Sequence, residues 1–188
     1  GTLDRKSGKM HFLNIPSKGY MKAMVEGKDK HLYISTFGYG LMRYASETGK
    51  WQKFHMKQED PVKGRLSNDW VNAMICDAEG LIWMGHYKGV SCYDPAQERF
   101  ITGKYNDQLA SQICISLMEG KEGEIWAGTY NGLFRINKQT GEMKRYTVAN
   151  GLSSNVICGL AQDERGNIWC STFNGINQIK TDEDRIVN

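Results

Sequence analysis

Residues 119–135 read EGKEGEIWAGTYNGLFR, and residues 162–178 read QDERGNIWCSTFNGINQ. The two stretches begin 43 residues apart and share a glycine, an Ile-Trp pair, a threonine, an aromatic residue and an Asn-Gly pair. Two earlier copies of this pattern are anchored at Tyr33 and Trp83. The sequence is therefore a fourfold repeat with a period close to 43 residues, apart from a longer first interval.

Within each copy, four short runs with apolar residues are separated by turns rich in Gly, Asn and Asp. In the third copy the runs are CISLMEG (114–120), EIWAGT (124–129), LFRIN (133–137) and MKRYTV (143–148). Apolar and polar residues alternate in these runs, which indicates β-strands, and no window keeps a period of about 3.6 residues. A repeat of about 40–45 residues with four strands is typical of a β-propeller blade.

The predicted fold is all-β: a β-propeller fragment of about four four-stranded antiparallel blades plus a partial N-terminal blade. Gly8 and Met10 align with Gly141 and Met143, so the N-terminus resembles the outer hairpin of a preceding blade. The predicted bounds within this one domain are 1–16 for that hairpin and 17–66, 67–109, 110–152 and 153–188 for the blades. Open blade edges favour association, so we expect a homo-oligomer.

The Ile-Trp pair has a structural explanation in this fold. Its two side chains point to opposite faces of the second strand, and stacked blades bury both faces. A tryptophan buries about 200 Å² in such a position.

Composition argues against several classes of function. Net charge is +3, from 24 basic and 21 acidic residues that are interspersed along the chain. Nucleic-acid binding needs a concentrated basic patch, which is not seen. No apolar run reaches the ~20 residues of a membrane span. The five cysteines include no C-x-x-C and are not grouped with histidines, so no metal or other cofactor is predicted, and the cysteines are expected to be small buried residues.

Three motifs resemble a known family. DAEGLIWMG (77–85), DERGNIW (163–169) and NGLSSNV (150–156) are similar to the two-component regulator propeller repeat. The resemblance extends from about residue 17 to 188. Three places depart from it: the first copy has Tyr33 in place of Trp, the third has Gly120 where Asp is expected, and the second has His86-Tyr87-Lys88.

This resemblance implies a function. Such repeats form the periplasmic sensor region of hybrid two-component regulators, which are inner-membrane proteins that respond to oligosaccharides. A histidine kinase lies elsewhere in those proteins, and no nucleotide-binding glycine loop is found in this chain. The resemblance therefore predicts a sensor and not an enzyme.

A ligand is expected on one particular face of the propeller. The loops from the second to the third strand and from the outer strand to the next inner strand share that face. Aromatic rings stack on sugars, while polar side chains bond to their hydroxyls. Besides Phe37, the candidate residues there are Tyr39, Arg65, Asp69, Trp70, His86, Tyr87, Lys88, Tyr130, Asn131, Phe173 and Asn174.

Other interpretations stay open at this stage. The aromatic residue four positions after each anchor recurs in every copy, so packing explains it better than ligand binding does. Residues that break the repeat, namely Tyr39, Arg65, His86 and Lys88, are the better ligand candidates. The alternative functions are a protein-docking scaffold and a metal-dependent lyase similar to the streptogramin-inactivating propellers. The lyase needs a metal with a His/Glu constellation that this sequence does not supply. A sialidase-type propeller is less favoured, because its repeat, Ser-x-Asp-x-Gly-x-x-Trp, differs from the Asp-x-x-Gly-x-Ile-Trp pattern of this chain.

Overall fold

Alternating apolar residues and glycine-rich turns produce four separate antiparallel sheets, each of four strands. The computed structural model describes residues 2–17, 19–55, 64–101 and 103–188. A hairpin of two short strands, β1 (Thr2–Leu3) and β2 (Met10–His11), precedes the sheets. The prediction of an all-β propeller fragment is confirmed.

Each sheet is one blade, and its strands pair in chain order. Blade 1 contains β3 (Met21–Glu26), β4 (His31–Thr36), β5 (Gly40–Ala45) and β6 (Lys50–Phe54). Blade 2 contains β7 (Val71–Cys76), β8 (Ile82–His86), β9 (Gly89–Asp94) and β10 (Arg99–Ile101). Blade 3 contains β11 (Cys114–Glu119), β12 (Ile125–Thr129), β13 (Gly132–Ile136) and β14 (Met143–Tyr146). Blade 4 contains β15 (Ile157–Gln162), β16 (Ile168–Thr172), β17 (Gly175–Lys180) and β18 (Arg185–Val187).

The first strands of neighbouring blades lie side by side, β3 next to β7, β7 next to β11 and β11 next to β15. These strands are therefore the innermost, and the blades radiate from them. Two connections contain a short helix: α1 (Lys104–Leu109) joins blades 2 and 3, and a 3₁₀ helix (Val148–Asn150) joins blades 3 and 4.

Three hydrophobic clusters fill the spaces between blades. Ile82 packs toward blade 1, and Trp83 packs toward blade 3. Trp83 and Trp126 are 2% and 0% exposed, in agreement with the predicted burial of the Ile-Trp pair. Trp169 in blade 4 is 41% exposed, because no described segment of the chain packs on the outer face of that blade.

In each blade, the side chain of the Trp or Tyr on the second strand is held by a carboxylate in the turn between the first and second strands. In blade 2, Trp83 Nε1 donates to Asp77 Oδ2 at 2.9 Å, and two backbone N–H groups of the turn donate to the other oxygen. Blade 4 repeats this arrangement with Trp169 and Asp163 at 3.0 Å. Hydrogen bonds from Asn167 and Trp169 lower the pKa of Asp163 to about 2.

Blades 1 and 3 have glycine at this aspartate position, and another residue of the turn supplies the carboxylate. In blade 3, Trp126 Nε1 donates to Glu124 Oε1 at 2.8 Å, and a Cβ on Gly120 would overlap that carboxylate. In blade 1 the phenol of Tyr33 donates to Asp29 Oδ2 at 2.7 Å. These two departures from the repeat pattern therefore conserve its hydrogen bond.

An ionic contact also joins blades 2 and 3. Lys138 Nζ lies 3.0 Å from Asp77 Oδ2 and 2.9 Å from Glu119 Oε1, and its side chain is buried. Burial alone would lower the pKa of Lys138, but the hydrogen bonds to Glu119 and Asp77 outweigh it and raise the pKa. This side of the molecule, formed by the turns between first and second and between third and fourth strands, is called the turn face below.

Candidate functional site

The opposite side of the molecule is called the loop face below. It consists of the loops between second and third strands and of the connections between blades. Neighbouring blades are hydrogen-bonded to each other here. Gly132, at φ 120°, donates its N–H to the Asn155 carbonyl at 2.7 Å, and a Cβ on it would lie 2.6 Å from the Tyr146 carbonyl oxygen. Glycine is therefore required at this loop position. Equivalent bonds run from Gly40 to Asp69 and from Gly89 to Gln112.

An aromatic cluster lies on the loop face between blades 1 and 2. It consists of Phe37, Trp70 and Tyr87. The ring centres of Phe37 and Trp70 are 4.4 Å apart, and those of Trp70 and Tyr87 are 5.4 Å apart. Phe37 and Trp70 also form a backbone bridge, and Trp70 N donates to Asn68 Oδ1. Trp70 is 44% exposed, so the cluster presents ring surface to solvent.

Two lysines and a tyrosine adjoin this aromatic cluster. Lys22 Nζ lies 5.5 Å from the centre of the Phe37 ring. Lys88 follows Tyr87 in the chain and is exposed. Tyr39 is exposed in the loop of blade 1, with its ring close to Gly19. Sequence reasoning missed Lys22, because it lies in the first strand β3 and not in a loop, and its contact with Phe37 is visible only in the structure.

His86 was expected to face a ligand, but the structure places it in the interior. Its side chain is 0% exposed, Nε2 lies 2.9 Å from Ser91 Oγ, and Nδ1 accepts the Lys88 N–H at 3.2 Å. Burial lowers its pKa to about 4, and the charge of Lys88 contributes. The other blades have a threonine here whose hydroxyl donates to a loop carbonyl. His86 therefore occupies a structural position of the repeat.

Two predicted residues lie in the connection that leads to Trp70. The Asp69 carbonyl accepts N–H groups from Gly38 and Gly40, and its carboxylate lies 3.9 Å from His55 Nδ1. The Asp69 side chain is largely buried, which gives it a role in holding the loops together. The Arg65 side chain is exposed.

The remaining candidates belong to blades 3 and 4. Tyr130 and Phe173 are exposed, and in the described part of the chain neither ring has an aromatic neighbour. Arg145 donates to the carbonyl of Asn131, and Asn174 Nδ2 donates to the Ser153 carbonyl at 3.3 Å. The structure thus brings Trp70 and Tyr87 together with Phe37, and leaves the residues of blades 3 and 4 apart from them.

Neither a metal site nor a membrane-spanning helix is found among the described residues. Among the described residues, no three His, Cys, Asp or Glu side chains are grouped so that they could hold a metal ion. The described part of the chain also contains no helix with the length and apolar character needed to cross a membrane.

Residues 151–174 match the family described as two component regulator propeller. They include the GLSS stretch (151–154), the Ile-Trp pair and the aromatic loop of blade 4. This segment of blade 4 is therefore similar to one repeat of that family. A search of curated proteins finds no match to this chain.

Solved structures with the same fold include two extracellular domains from B. thetaiotaomicron. One, from a hybrid two component system, is 20% identical with a TM-score of 0.78, and the match covers 97% of this chain and 25% of that one. The other, from a one component system, is 24% identical with a TM-score of 0.70. That match covers 87% of this chain and 22% of the other. A virginiamycin B lyase from Staphylococcus aureus is 13% identical, with a TM-score of 0.71. The match covers 97% of this chain and 59% of the lyase. The chain thus spans about a quarter of the length of the two extracellular domains.

Proposed function

We propose that the chain is part of the periplasmic sensor region of a hybrid two-component regulator. In this proposal the loop face binds an oligosaccharide, and a histidine kinase elsewhere in the parent protein receives the signal. The repeat family supports this assignment, as does the shared fold with an extracellular domain of a hybrid two component system.

The aromatic cluster is the observation that carries the ligand proposal. Trp70 and Tyr87 expose ring surface although they are large apolar side chains, and they lie beside polar and charged groups. An aromatic face stacks on the C–H face of a sugar ring, while neighbouring polar groups bond to its hydroxyls. The contact between Phe37 and Trp70 holds the indole in place before a ligand arrives, which reduces the entropy lost on binding.

Titration calorimetry with a panel of neutral and acidic oligosaccharides tests the proposal. We expect saturable binding by one class without turnover, and a loss of about tenfold or more in affinity for Trp70→Ala. Phe173→Ala is the control, because this exposed ring of the loop face occupies in blade 4 the position that Tyr87 has in blade 2, but lies outside the aromatic cluster. No binding by any saccharide, or equal affinity for both variants, would contradict the proposal.

Two other functions predict different experimental results. A protein-docking scaffold would capture a peptide or protein and leave every saccharide unbound. A lyase, which the fold shared with the virginiamycin B lyase brings into consideration, would open a cyclic ester substrate in a metal-dependent reaction.

A further inference from the structure

We infer that the saccharide bound at the loop face is anionic and that its carboxylate or sulfate groups pair with Lys22 and Lys88. This inference rests on the proposed function and adds the charge class of the ligand. It is carried by the placement of the two ammonium groups beside the aromatic cluster and by the distribution of acidic residues between the two faces.

Lys22 has a fixed position but no counter-ion. Its ammonium group lies over the Phe37 ring, and it forms no ion pair with any residue that the structure describes. A ring attracts a cation only weakly at an exposed site, so the contact orients the ammonium group without neutralising it. The charge remains available to an anion that approaches the aromatic cluster.

Lys88 follows Tyr87 of the cluster in the chain, and its side chain is also exposed. Its backbone N–H donates to the buried His86 ring at 3.2 Å, so the main chain at this residue is anchored. The side chain is exposed next to Tyr87, and no carboxylate of the described residues pairs with it. Two uncompensated positive charges therefore flank one patch of exposed aromatic surface.

The acidic residues lie mainly on the other side of the molecule. In the described loops and blade connections of the loop face, the only acidic residues are Asp69, whose side chain is largely buried, and Asp107 in α1. The turns of the turn face contain Asp29, Glu47, Asp77, Glu79, Glu98, Glu122, Glu124, Glu142, Asp163, Glu164, Asp182, Glu183 and Asp184. Among the described loops, acidic residues are therefore concentrated on the turn face, and the aromatic cluster lies on the side where few of them are found.

The lysines of the turn face are bound to the protein itself, which makes the contrast sharper. Lys138 bridges Asp77 and Glu119. Lys28 donates to the Ala78 carbonyl of the next blade, and Lys121 donates to the Glu164 carbonyl. The ammonium groups of these lysines have hydrogen-bond or ion-pair partners. Those of Lys22 and Lys88 have no such partner in the described part of the molecule.

A ligand with acidic groups would use both features at once. One sugar ring stacks on Trp70 or Tyr87, while its carboxylate or sulfate accepts charge-assisted hydrogen bonds from an ammonium group. A neutral sugar would leave both ammonium groups unpaired and gain only the stacking contact. Charge on the ligand should therefore determine affinity.

The test compares two probes that differ only in charge: oligogalacturonate and its fully methyl-esterified form, titrated into the 188-residue chain. We expect the acid form to bind at least about tenfold more tightly than the ester, and added salt to weaken only the acid form. A sulfated galactan fragment and its desulfated form make a second pair. Binding of the carboxylated or of the sulfated probe identifies which anion the site prefers.

Substitutions locate the effect. Lys22→Gln and Lys88→Gln should each weaken binding of the preferred anion about tenfold and leave the uncharged probe unchanged. Lys30→Gln is the matched control, because Lys30 is an exposed lysine of the turn face and should have no effect. All three side chains are exposed, so none of the variants should unfold the chain.

The inference is overturned if charged and uncharged probes bind equally, or if Lys22→Gln and Lys88→Gln leave the affinity unchanged. It is also overturned if only neutral oligosaccharides bind, a result that keeps the proposed sensor function intact. Failure of every saccharide to bind overturns both the inference and the proposed function.

Discussion

His86 shows how a single residue can break a repeat for a structural reason. Three blades have a threonine at this position, and its hydroxyl caps the adjacent loop. In blade 2 the imidazole fills the same space and bonds to Ser91, which in turn donates to Ser67. Because the ring is buried and its partners are neutral, the uncharged form is favoured in the folded protein.

We predict that this histidine makes stability depend on pH. Its pKa falls from 6.5 in the unfolded chain to about 4 in the folded one, so the unfolded state binds more protons between these values. Stability should be fully present above pH 6.5 and decrease as the pH falls through this window, by at most roughly 3 kcal/mol.

Urea unfolding of the native chain and His86→Thr at a series of pH values measures this effect. His86→Thr should lose some stability at neutral pH and show a flatter profile from pH 6.5 downward. Carboxylates titrate in the lower part of the window in both proteins, so the difference between the two profiles isolates the histidine. Parallel profiles would contradict the prediction.

At the level of the element, the turn between first and second strands is a unit with two interchangeable sequences. Blades 2 and 4 use aspartate at its first position, while blades 1 and 3 use glycine there and a carboxylate two or four residues later. The glycine is needed because a side chain at that position would occupy the place of the other carboxylate. Both versions supply a carboxylate that accepts the hydrogen bond of the Trp or Tyr side chain on the second strand.

This exchange predicts a strong coupling between Gly120 and Glu124. Gly120→Asp alone should destabilise the chain by about 1–3 kcal/mol, because two carboxylates would compete for one buried indole N–H. Glu124→Asn alone should also destabilise it, because it removes the charged acceptor of Trp126. The double variant reproduces the turn of blade 4 and should recover most of the stability. A double-mutant cycle in urea measures the coupling, and additive effects would show that the two turns are not equivalent.

For the whole molecule, the outer faces of the terminal blades decide how the chain behaves in solution. Ile176 in blade 4 is 62% exposed, whereas Leu133, at the equivalent position in blade 3, is 0% exposed. At the other end, Met24 is exposed beside an apolar cleft lined by Leu13, Ile15 and Leu32. These two surfaces have the shape and apolar character of faces that normally lie between blades.

We predict that the chain associates through these faces and that Ile176→Glu suppresses the association without unfolding the chain. Light scattering during size-exclusion chromatography should give a mass above 21.3 kDa for the native chain and a lower mass for the variant. Leu133→Glu is the matched comparison, and burial of its charge should prevent folding. A native chain that elutes as a monomer at all concentrations would contradict the prediction.

Much of the candidate site could be predicted from the repeat, but the grouping of its residues could not. The repeat places four aromatic residues on the same face, and it gives no reason to prefer one of them as a ligand contact: Trp70, Tyr87, Tyr130 and Phe173. The structure joins only Trp70 and Tyr87 through Phe37, because the blade 1 loop and the connection to blade 2 pair along their backbones. The repeat also favoured His86, since residue type alone does not show whether a side chain points into or out of a loop.

The sequence by itself determined the number of blades, the strand order within each and the residues that fill the spaces between them. It could do so because local alternation and turn glycines act over a few residues and recur in every copy. Only the tertiary structure decided which carboxylate accepts the hydrogen bonds of Trp126 and Tyr33, which lysines are neutralised, and that Lys22 reaches Phe37. These contacts depend on distances between segments far apart in the chain or on the path of a turn, and such distances are set only when the blades pack.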